Sequence, residues 1–399
     1  MAYLRRTTVI ISLTAVAVLA GCAGTGVQGQ KNRAQAAQRW SQIKSGTEWD
    51  MARQAFEVGD LDTAYKRVQQ SLAYNDQVAK SHTLLGRIEL EKGDLDKAIK
   101  SFKTALLLDP EDTDALYASG IAYERMSKNE EAFRAYYKAY TLNQEDAVPL
   151  VAAVETLINE GKLDKAYEIS TAALDQLQHN SALHQLIGQI HMLRGEYSKA
   201  VDEFEQASLL AADNANVRED LIRAMYADGR FAECEYEIQQ MLKEDDFADR
   251  RDLKHMRTTC LEKLDRLMEA RDILMKLAAE DRTDFRAWSS LGQVAYKLND
   301  FRRLRQSADR LMGLRPDDPE GYVFRALWEW KNGSHDKAMK MLDKAKTLNP
   351  DDPYLFTLLS VWLREEGKEQ DSVAALQTAQ RLAQLQKGNG ERLSAVPGS

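Results

Sequence analysis

Most of this chain consists of short amphipathic segments, typical of helices, separated by brief polar breaks. Residues 79–112, AKSHTLLGRIELEKGDLDKAIKSFKTALLLDPED, contain two such segments on either side of Gly93 and Asp94. Helix-forming residues are abundant, the chain has only 7 prolines, and no stretch alternates apolar and polar residues as a strand does. The pattern predicts an all-α protein built from helix pairs.

The helix-pair pattern recurs every 34 residues. Alanine occupies position 20 in five successive units, Cys234 occupies it in the sixth, and the insertion of Asp249 and Arg250 precedes the seventh. Helix A is predicted over about positions 1–14 and helix B over about positions 17–30 of each unit. Ten units begin at residues 45, 79, 113, 147, 181, 215, 251, 285, 319 and 353, and the last ends at residue 386.

Small residues and prolines at set positions of each unit have physical causes. Position 15 must end helix A in a left-handed conformation, so it is Gly in all units except those with Ser127, Asp265 and Asn299. Small residues at positions 8 and 20 are predicted to let helices A and B of one unit touch. Pro319 and Pro353 each follow an aspartate that is predicted to cap the helix they begin.

These positions match the tetratricopeptide repeat (TPR) pattern, and the chain resembles that family from residue 45 to residue 386. The resemblance implies a right-handed superhelical solenoid of about ten repeats, in which helix A of each repeat lines a concave groove. Bulky side chains in close-contact slots predict altered curvature, or a seam, within residues 215–318. Those side chains are Ile222, Cys234, Met241, Thr258, Leu277, Leu304 and Leu311.

The first 22 residues have the order of a bacterial lipoprotein signal. Arg5 and Arg6 precede an apolar run that ends in LAGC at Cys22, and this run is too short to span a bilayer comfortably. It resembles the lipobox, which implies cleavage before Cys22 and acylation of its thiol and new amino group. An ordinary secretory signal is the alternative. Ala23, second in the mature chain, favours an outer-membrane location facing the periplasm if the organism has two membranes.

The segments around the repeats complete the predicted domain organisation. Residues 1–21 are the signal peptide, residues 22–44 are the lipidated cysteine and a tether, and residues 387–399 form a disordered polar tail. Cys234 and Cys260 lie within predicted helices, where buried free thiols are expected. A disulfide between them is the alternative that an exported compartment would permit.

The motifs of common enzymes and metal sites are missing from the sequence. It contains no HExxH, GxxxxGK[ST], GxSxG or CxxC. His184 and His191 share a predicted helix, but both occupy core-packing positions of helix A. The formal net charge of -8 argues against a nucleic-acid partner. We therefore expect no catalytic residue, no cofactor and no metal.

The TPR resemblance assigns the binding surface to positions 2, 5, 9, 12 and 13 of helix A. Aromatic residues with interleaved arginines at these positions are typical of interaction surfaces. Position 5 is never Lys and position 9 is never Asn, so the carboxylate clamp of chaperone-binding TPR domains is not expected. The predicted partner-binding residues are Trp49, Arg53, Phe56, Arg87, Leu90, Tyr117, Ile121, Arg125, Tyr226, Tyr296, Trp330 and Tyr354.

The predicted function is that of a membrane-anchored scaffold that holds a protein or peptide partner in the groove. The resemblance to envelope TPR lipoproteins implies a role in cell-envelope, pilus or secretion assembly. One alternative is a self-associating structural protein of the envelope. The other is an envelope enzyme whose site would lie in the less regular region, residues 215–318.

Overall fold

The computed structural model describes the backbone of residues 27–394 and the side chains of residues 30–387. The chain divides into two compact units, and the division falls between Asn214 and Ala215. The described part of the first unit contains α1 (Val27–Glu57), α2 (Leu61–Tyr74), α3 (Ala79–Glu91), α4 (Leu95–Leu108), α5 (Thr113–Arg125), α6 (Asn129–Leu142), α7 (Val148–Asn159), α8 (Leu163–Leu174), α9 (Ser181–Leu193) and α10 (Tyr197–Leu210).

The second unit is built in the same way. Its described part contains α11 (Ala215–Ala227), α12 (Phe231–Met241), α13 (Arg251–Lys263), α14 (Leu267–Glu280), α15 (Phe285–Lys297), α16 (Phe301–Leu314), α17 (Pro319–Lys331), α18 (His335–Leu348), α19 (Pro353–Glu365) and α20 (Glu369–Ser394). Within residues 27–394 there is no strand. The predicted all-α fold of consecutive packed helix pairs is confirmed.

Every turn between helices A and B contains a residue in the left-handed conformation at position 15. Gly occupies seven of these turns, and Ser127, Asp265 and Asn299 adopt φ values of 57°, 58° and 54° in the other three. In the second repeat the N–H groups of Gly93 and Asp94 donate back to carbonyl groups of α3, which satisfies the free end of that helix. All ten predicted breaks between the helices are confirmed.

Acidic caps begin many of the helices, including the two that start with proline. Asp318 accepts a hydrogen bond from the backbone N–H of Glu320 at 3.0 Å. Asp352 accepts one from the N–H of Tyr354 at 2.9 Å. Both prolines, residues 319 and 353, lie in the first turn, where a missing N–H leaves no bond unmade. These two caps were predicted from the sequence and are confirmed.

The glycines at position 8 are needed because an aromatic ring packs directly on them. A methyl group added at Gly86 would lie 2.5 Å from a ring carbon of Phe102, closer than carbon atoms approach. The rings of Tyr136 and Phe204 cover Gly120 and Gly188 in the same way. The prediction named position 20 as the close contact. The structure adds position 24, where these three rings originate.

The ring that packs on Gly292 comes from a different repeat. Position 24 of its own repeat is Ala308, which is too small to reach it. The ring of Phe324, from helix A of the next repeat, occupies the space that a Cβ on Gly292 would need. In this repeat the glycine therefore permits a contact between neighbouring repeats.

The seven bulky residues of the predicted irregular segment are all buried, with at most 1% of their surface exposed. The division between the two units coincides with the start of this segment. Within the second unit one core cluster continues from Leu261 to Trp362, across residue 318 where the segment was predicted to end. Altered curvature along residues 215–318 stays a prediction.

Cys234 and Cys260 are free and fully buried. Their Sγ atoms lie 3.5 Å apart, on neighbouring helices of the second unit. The two thiols are therefore buried and not covalently bonded to each other, as the sequence predicted in preference to a disulfide.

The two ends of the described chain are helical. Helix α1 begins at Val27, so the part of the predicted tether from residue 27 onward continues directly into helix A of the first repeat. Helix α20 extends to Ser394, so residues 387–394 continue a helix where the sequence predicted a disordered tail.

The predicted signal peptide and Cys22 lie outside the described residues. Within residues 27–394, no helix combines the length and the apolar character needed to cross a bilayer.

Candidate partner-binding hollows

The first unit has a hollow of about 470 Å³ between the helices A of its first three repeats. Helices α1 and α3 supply most of its lining, and the start of α5 closes it on one side. We call this the N-terminal hollow. It is lined by Trp49, Arg53, Phe56, Glu57, Lys80, Thr83, Leu84, Arg87, Asp112 and Asp114.

Helical spacing places these side chains on one face of each helix. Trp49, Arg53 and Phe56 follow one another at four- and three-residue steps along α1. Lys80, Thr83 and Arg87 repeat the same type of spacing along α3. Other faces of the two helices pack in the core, through alanines of α1 and through Leu85 and Ile88 of α3. The hollow therefore follows from the amphipathic pattern of two consecutive helices A.

Cations lie over aromatic rings in the N-terminal hollow. The Lys80 ammonium lies 4.1 Å from the centre of the Trp49 ring. The Arg87 guanidinium lies 5.0 Å from the centre of the Phe56 ring. The Trp49 indole also donates a hydrogen bond of 3.2 Å to the carbonyl of Lys80, which holds the ring in place. Such stacking keeps the positive groups at fixed positions while leaving them accessible to an anionic ligand.

Three of the other charged residues of the N-terminal hollow, Arg53, Glu57 and Asp112, already have partners within the chain. Arg53 binds Glu57 one turn further along α1, at 3.0 Å. Asp112 accepts a hydrogen bond of 2.6 Å from the Thr83 hydroxyl and caps α5. Neither Lys80 nor Arg87 makes an ion pair with a carboxylate of the described residues. These two cations are the groups that a ligand carboxylate could bind.

The second unit has a smaller hollow of about 350 Å³ along its helices A, between α15, α17 and the start of α19. We call this the C-terminal hollow. It is lined by Gln293, Tyr296, Lys297, Pro319, Glu320, Val323, Phe324, Leu327, Asp352 and Tyr354.

Apolar and tyrosine side chains dominate the C-terminal hollow. Tyr354 is half exposed at its edge. Desolvation, followed by the neighbouring Tyr296 and Asp352, raises the pKa of Tyr354 above its usual value. Glu320 accepts hydrogen bonds from Ser289 at 2.7 Å and from Gln293 at 3.1 Å. This hollow suits an apolar or aromatic side chain flanked by hydrogen-bond donors.

Six of the predicted partner-binding residues line the two hollows. Four of them meet in the N-terminal hollow and two in the C-terminal hollow. They are Trp49, Arg53, Phe56 and Arg87 in the first, and Tyr296 and Tyr354 in the second.

Two predicted residues belong to the core. Leu90 is 3% exposed and packs in the cluster around Phe102. Trp330 is 6% exposed because it stacks between the Trp362 and His335 rings, at 4.4 Å and 4.0 Å. The assignment of Leu90 and Trp330 to an exposed groove is corrected, since neighbouring side chains cover both.

The other four predicted residues line neither hollow. Tyr117 packs on the Tyr136 ring, and Tyr226 packs edge-on against Phe231. Ile121 contributes to the core of the first unit. Arg125 donates a hydrogen bond of 3.1 Å to the carbonyl of Leu90. These side chains are partly exposed but hold neighbouring helices together.

The predicted partner-binding residues did not include the polar side chains around the start of helices A, although position 2 belongs to the predicted surface. Lys80, Asp114 and Glu320 lie at position 2 of their repeats, and Asp112 and Asp352 lie at position 34 of the repeat before. A signal was available, because aspartate recurs at position 34 as the cap of the next helix A. A capping side chain borders the same surface as the first turn of the helix it caps.

Neither histidine of the pair noted in the sequence faces the other. His184 Nδ1 lies 2.8 Å from Glu203, and His191 Nδ1 lies 2.6 Å from Glu196. Among the side chains that the structure describes, no group of three or more His, Cys, Asp or Glu residues is arranged to hold a metal ion.

Comparisons with known proteins identify the repeats. A TPR repeat model matches residues 86–127, and a tetratricopeptide repeat model matches residues 50–106 and 289–353. The comparison with curated proteins found no match.

Several solved structures have a similar helical arrangement over part of the chain. A crystal structure of MamA is 22% identical, with a TM-score of 0.39 over 43% of this chain and 94% of the other. PilF of Pseudomonas aeruginosa is 15% identical, with a TM-score of 0.44 over 51% of this chain and 92% of the other. A thermophilic TPR protein of Thermus thermophilus is 19% identical, with a TM-score of 0.35 over 46% of this chain and 99% of the other.

The family matches fall in both compact units, on segments whose helix pairs and turns have the expected register. Tetratricopeptide repeats are therefore present in both compact units of the chain.

Proposed function

We propose that this chain is a scaffold without enzymatic activity, and that it binds a protein or peptide partner through the N-terminal and C-terminal hollows. The observation that carries the proposal is the pair of cations stacked on aromatic rings in the N-terminal hollow. Lys80 and Arg87 are held in place and have no carboxylate partner among the described residues. TPR folds are generally protein-binding scaffolds, which agrees with this assignment.

The chemistry of each hollow defines what it would bind. The N-terminal hollow suits a carboxylate next to an apolar side chain, because positive groups and ring faces lie side by side there. The C-terminal hollow suits an apolar or aromatic side chain beside a hydrogen-bond donor. Glu320 or Asp352 would accept the hydrogen bond from that donor. We propose peptide segments of these two kinds as the ligands.

We also propose that acylated Cys22 anchors the chain in a membrane of the cell envelope, the outer membrane in an organism that has two. The signal-like sequence that ends in LAGC supports this part of the proposal. A membrane-anchored scaffold suits the assembly of an envelope structure, a pilus or a secretion system, and we place the partner in that class.

The experiment is a quantitative pull-down from detergent-solubilised membranes of the source cells. The test variants are Trp49→Ala with Arg87→Glu in one hollow, and Tyr354→Ala in the other. Recovery of the partner should fall about tenfold or more, as it does when an aromatic or arginine anchor of an interface is removed. Trp40→Ala and Tyr236→Ala are matched controls, because these rings are 59% and 57% exposed and line neither hollow.

Unchanged partner recovery in both hollow variants would reject the binding proposal. In the same experiment, a Cys22→Ser chain should lose incorporated palmitate and leave the membrane fraction. A Cys22→Ser chain that keeps its label would reject the anchor and leave the binding result intact.

A further inference from the structure

Helix B of the eighth repeat, α16, carries a row of arginines on its exposed side. Two adjoining hollows, of about 300 and 610 Å³, share the side chains of Arg303, Gln306 and Arg310. Arg282, just after α14, borders the smaller hollow, and Arg302 borders the larger one. We call Arg282, Arg302, Arg303 and Arg310 the arginine face. It does not overlap with the C-terminal hollow.

The charges of the arginine face are not neutralised by the chain itself. None of its four guanidinium groups makes an ion pair with a carboxylate of the described residues, and Arg303 donates only to the amide oxygen of Gln306, at 3.1 Å. The one acid that lines the hollows is Asp309, and Arg325 from α17 already binds it at 2.6 Å. Uncompensated like charges that border one hollow repel one another, so a bound anion would stabilise this site.

Arginines elsewhere in the same unit contrast with the arginine face. Arg250, Arg251 and Arg266 each bind two carboxylates. The chain as a whole has more acids than bases and a formal net charge of -8. The concentration of unpaired cations at one place is therefore a local feature that the composition does not explain.

The floor between the arginines is apolar. Met275 and Ala278 from α14, together with Trp288 and Leu291 from α15, line the smaller hollow. The Arg310 guanidinium lies 5.9 Å from the centre of the Trp288 ring. A ligand that fits this surface combines apolar side chains with negative charges along its edge.

We propose that the arginine face binds an acidic amphipathic helix of a partner protein. Arg303, Gln306 and Arg310 lie three and four residues apart, so they follow one side of α16 for about 10 Å. Acidic side chains two turns apart on a partner helix match that length, while its apolar side contacts the floor. Side chains on one side of a partner helix can project into the hollow of about 300 Å³ lined by α14, α15 and α16, which a flat bilayer surface cannot do, and this favours a peptide over a membrane.

The test is fluorescence anisotropy with a labelled helical peptide of about 18 residues, with leucines on one side and glutamates along its edge. The full chain carrying Cys22→Ser should bind it, and added salt should weaken the complex. Arg303→Glu with Arg310→Glu should weaken binding about tenfold or more. Arg134→Glu with Lys138→Glu on α6 is the matched control, because it makes the same charge change on exposed residues of another helix and should leave binding unchanged.

Three further measurements make the test decisive. The neutral pair Arg303→Gln with Arg310→Gln should also weaken binding. It replaces the charge-reversal pair if circular dichroism shows that the charge-reversal variant does not fold. A peptide with lysines in place of the glutamates should not bind. Equal weakening by the α6 control would reject the proposal, and so would binding of phosphatidylglycerol–phosphatidylcholine vesicles without binding of the acidic peptide.

Discussion

Repeats two and eight place glycine at the same position and use it for different contacts. In the second repeat, Gly86 makes room for Phe102, which lies in helix B of the same repeat. In the eighth repeat, Gly292 makes room for Phe324, which belongs to helix A of the next repeat. One glycine closes a helix pair, and the other joins two pairs.

The difference depends on the residue at position 24. Phe102 fills the space over Gly86 from within its repeat, whereas Ala308 leaves the space over Gly292 open. The ring of Phe324 occupies that space, and Phe324 is 6% exposed, whereas Phe102 is fully buried. A matching consensus position therefore does not identify the packing partner, because the ring that reaches the glycine depends on the size of a third residue.

The largest expected effect comes from removing the two rings. Phe102→Ala should destabilise the chain by about 3–5 kcal/mol, the usual range for a buried Phe in a core, measured by denaturant unfolding. Phe324→Ala should cost less and should act on the junction between repeats. Hydrogen exchange should show faster exchange of the α17 and α18 amides than of the α15 and α16 amides. Equal acceleration across α15–α18 would contradict the assignment of Phe324 to the junction.

The next effect comes from adding a methyl group to each glycine. Gly86→Ala and Gly292→Ala should each cost about 1–3 kcal/mol from overpacking, reduced by up to about 1 kcal/mol because Ala favours helix. Double-mutant cycles by chemical denaturation measure the coupling.

The two glycine sites are distinguished by the second substitution that restores stability to each alanine variant. Phe102→Leu should recover part of the loss in Gly86→Ala, and Phe324→Leu should do so in Gly292→Ala. Ala308→Gly is the control, and a rescue of Gly292→Ala by that change would show that the contact lies within the repeat.

The smallest expected effect concerns the turns between helices A and B, which contain a left-handed residue at position 15 in both units. Ser127→Gly, Asp265→Gly and Asn299→Gly should each stabilise the chain by about 0.5–1 kcal/mol, because each residue has a positive φ that glycine adopts without steric cost. Gly93→Ala is the reverse change and should destabilise by a similar amount. Thermal unfolding measures these shifts, and a loss of stability in all three glycine variants would contradict this explanation.

The residues that were predicted well act through local geometry. Position 15 requires a left-handed conformation, so Gly93 and Asn299 indicate turns by residue type, and the 34-residue register places Ser127 in the equivalent turn. The spacing of Trp49 and Arg87 along their helices was enough to place both on one exposed surface. The predictions for Leu90 and Trp330 used the same spacing and were wrong, because residues from other helices cover these two side chains.

The sequence by itself determined the helix pairs, their 34-residue register, the caps and turns, and the helix faces that carry aromatic and basic residues. Each of these depends on residues a few positions apart, whose interactions are set by helix geometry. Only the tertiary structure decided which ring covers Gly292, that Trp330 is buried, and that the arginines of α16 border a hollow with an apolar floor. These outcomes depend on side chains brought together from separate helices, and the volumes of several neighbours decide them jointly.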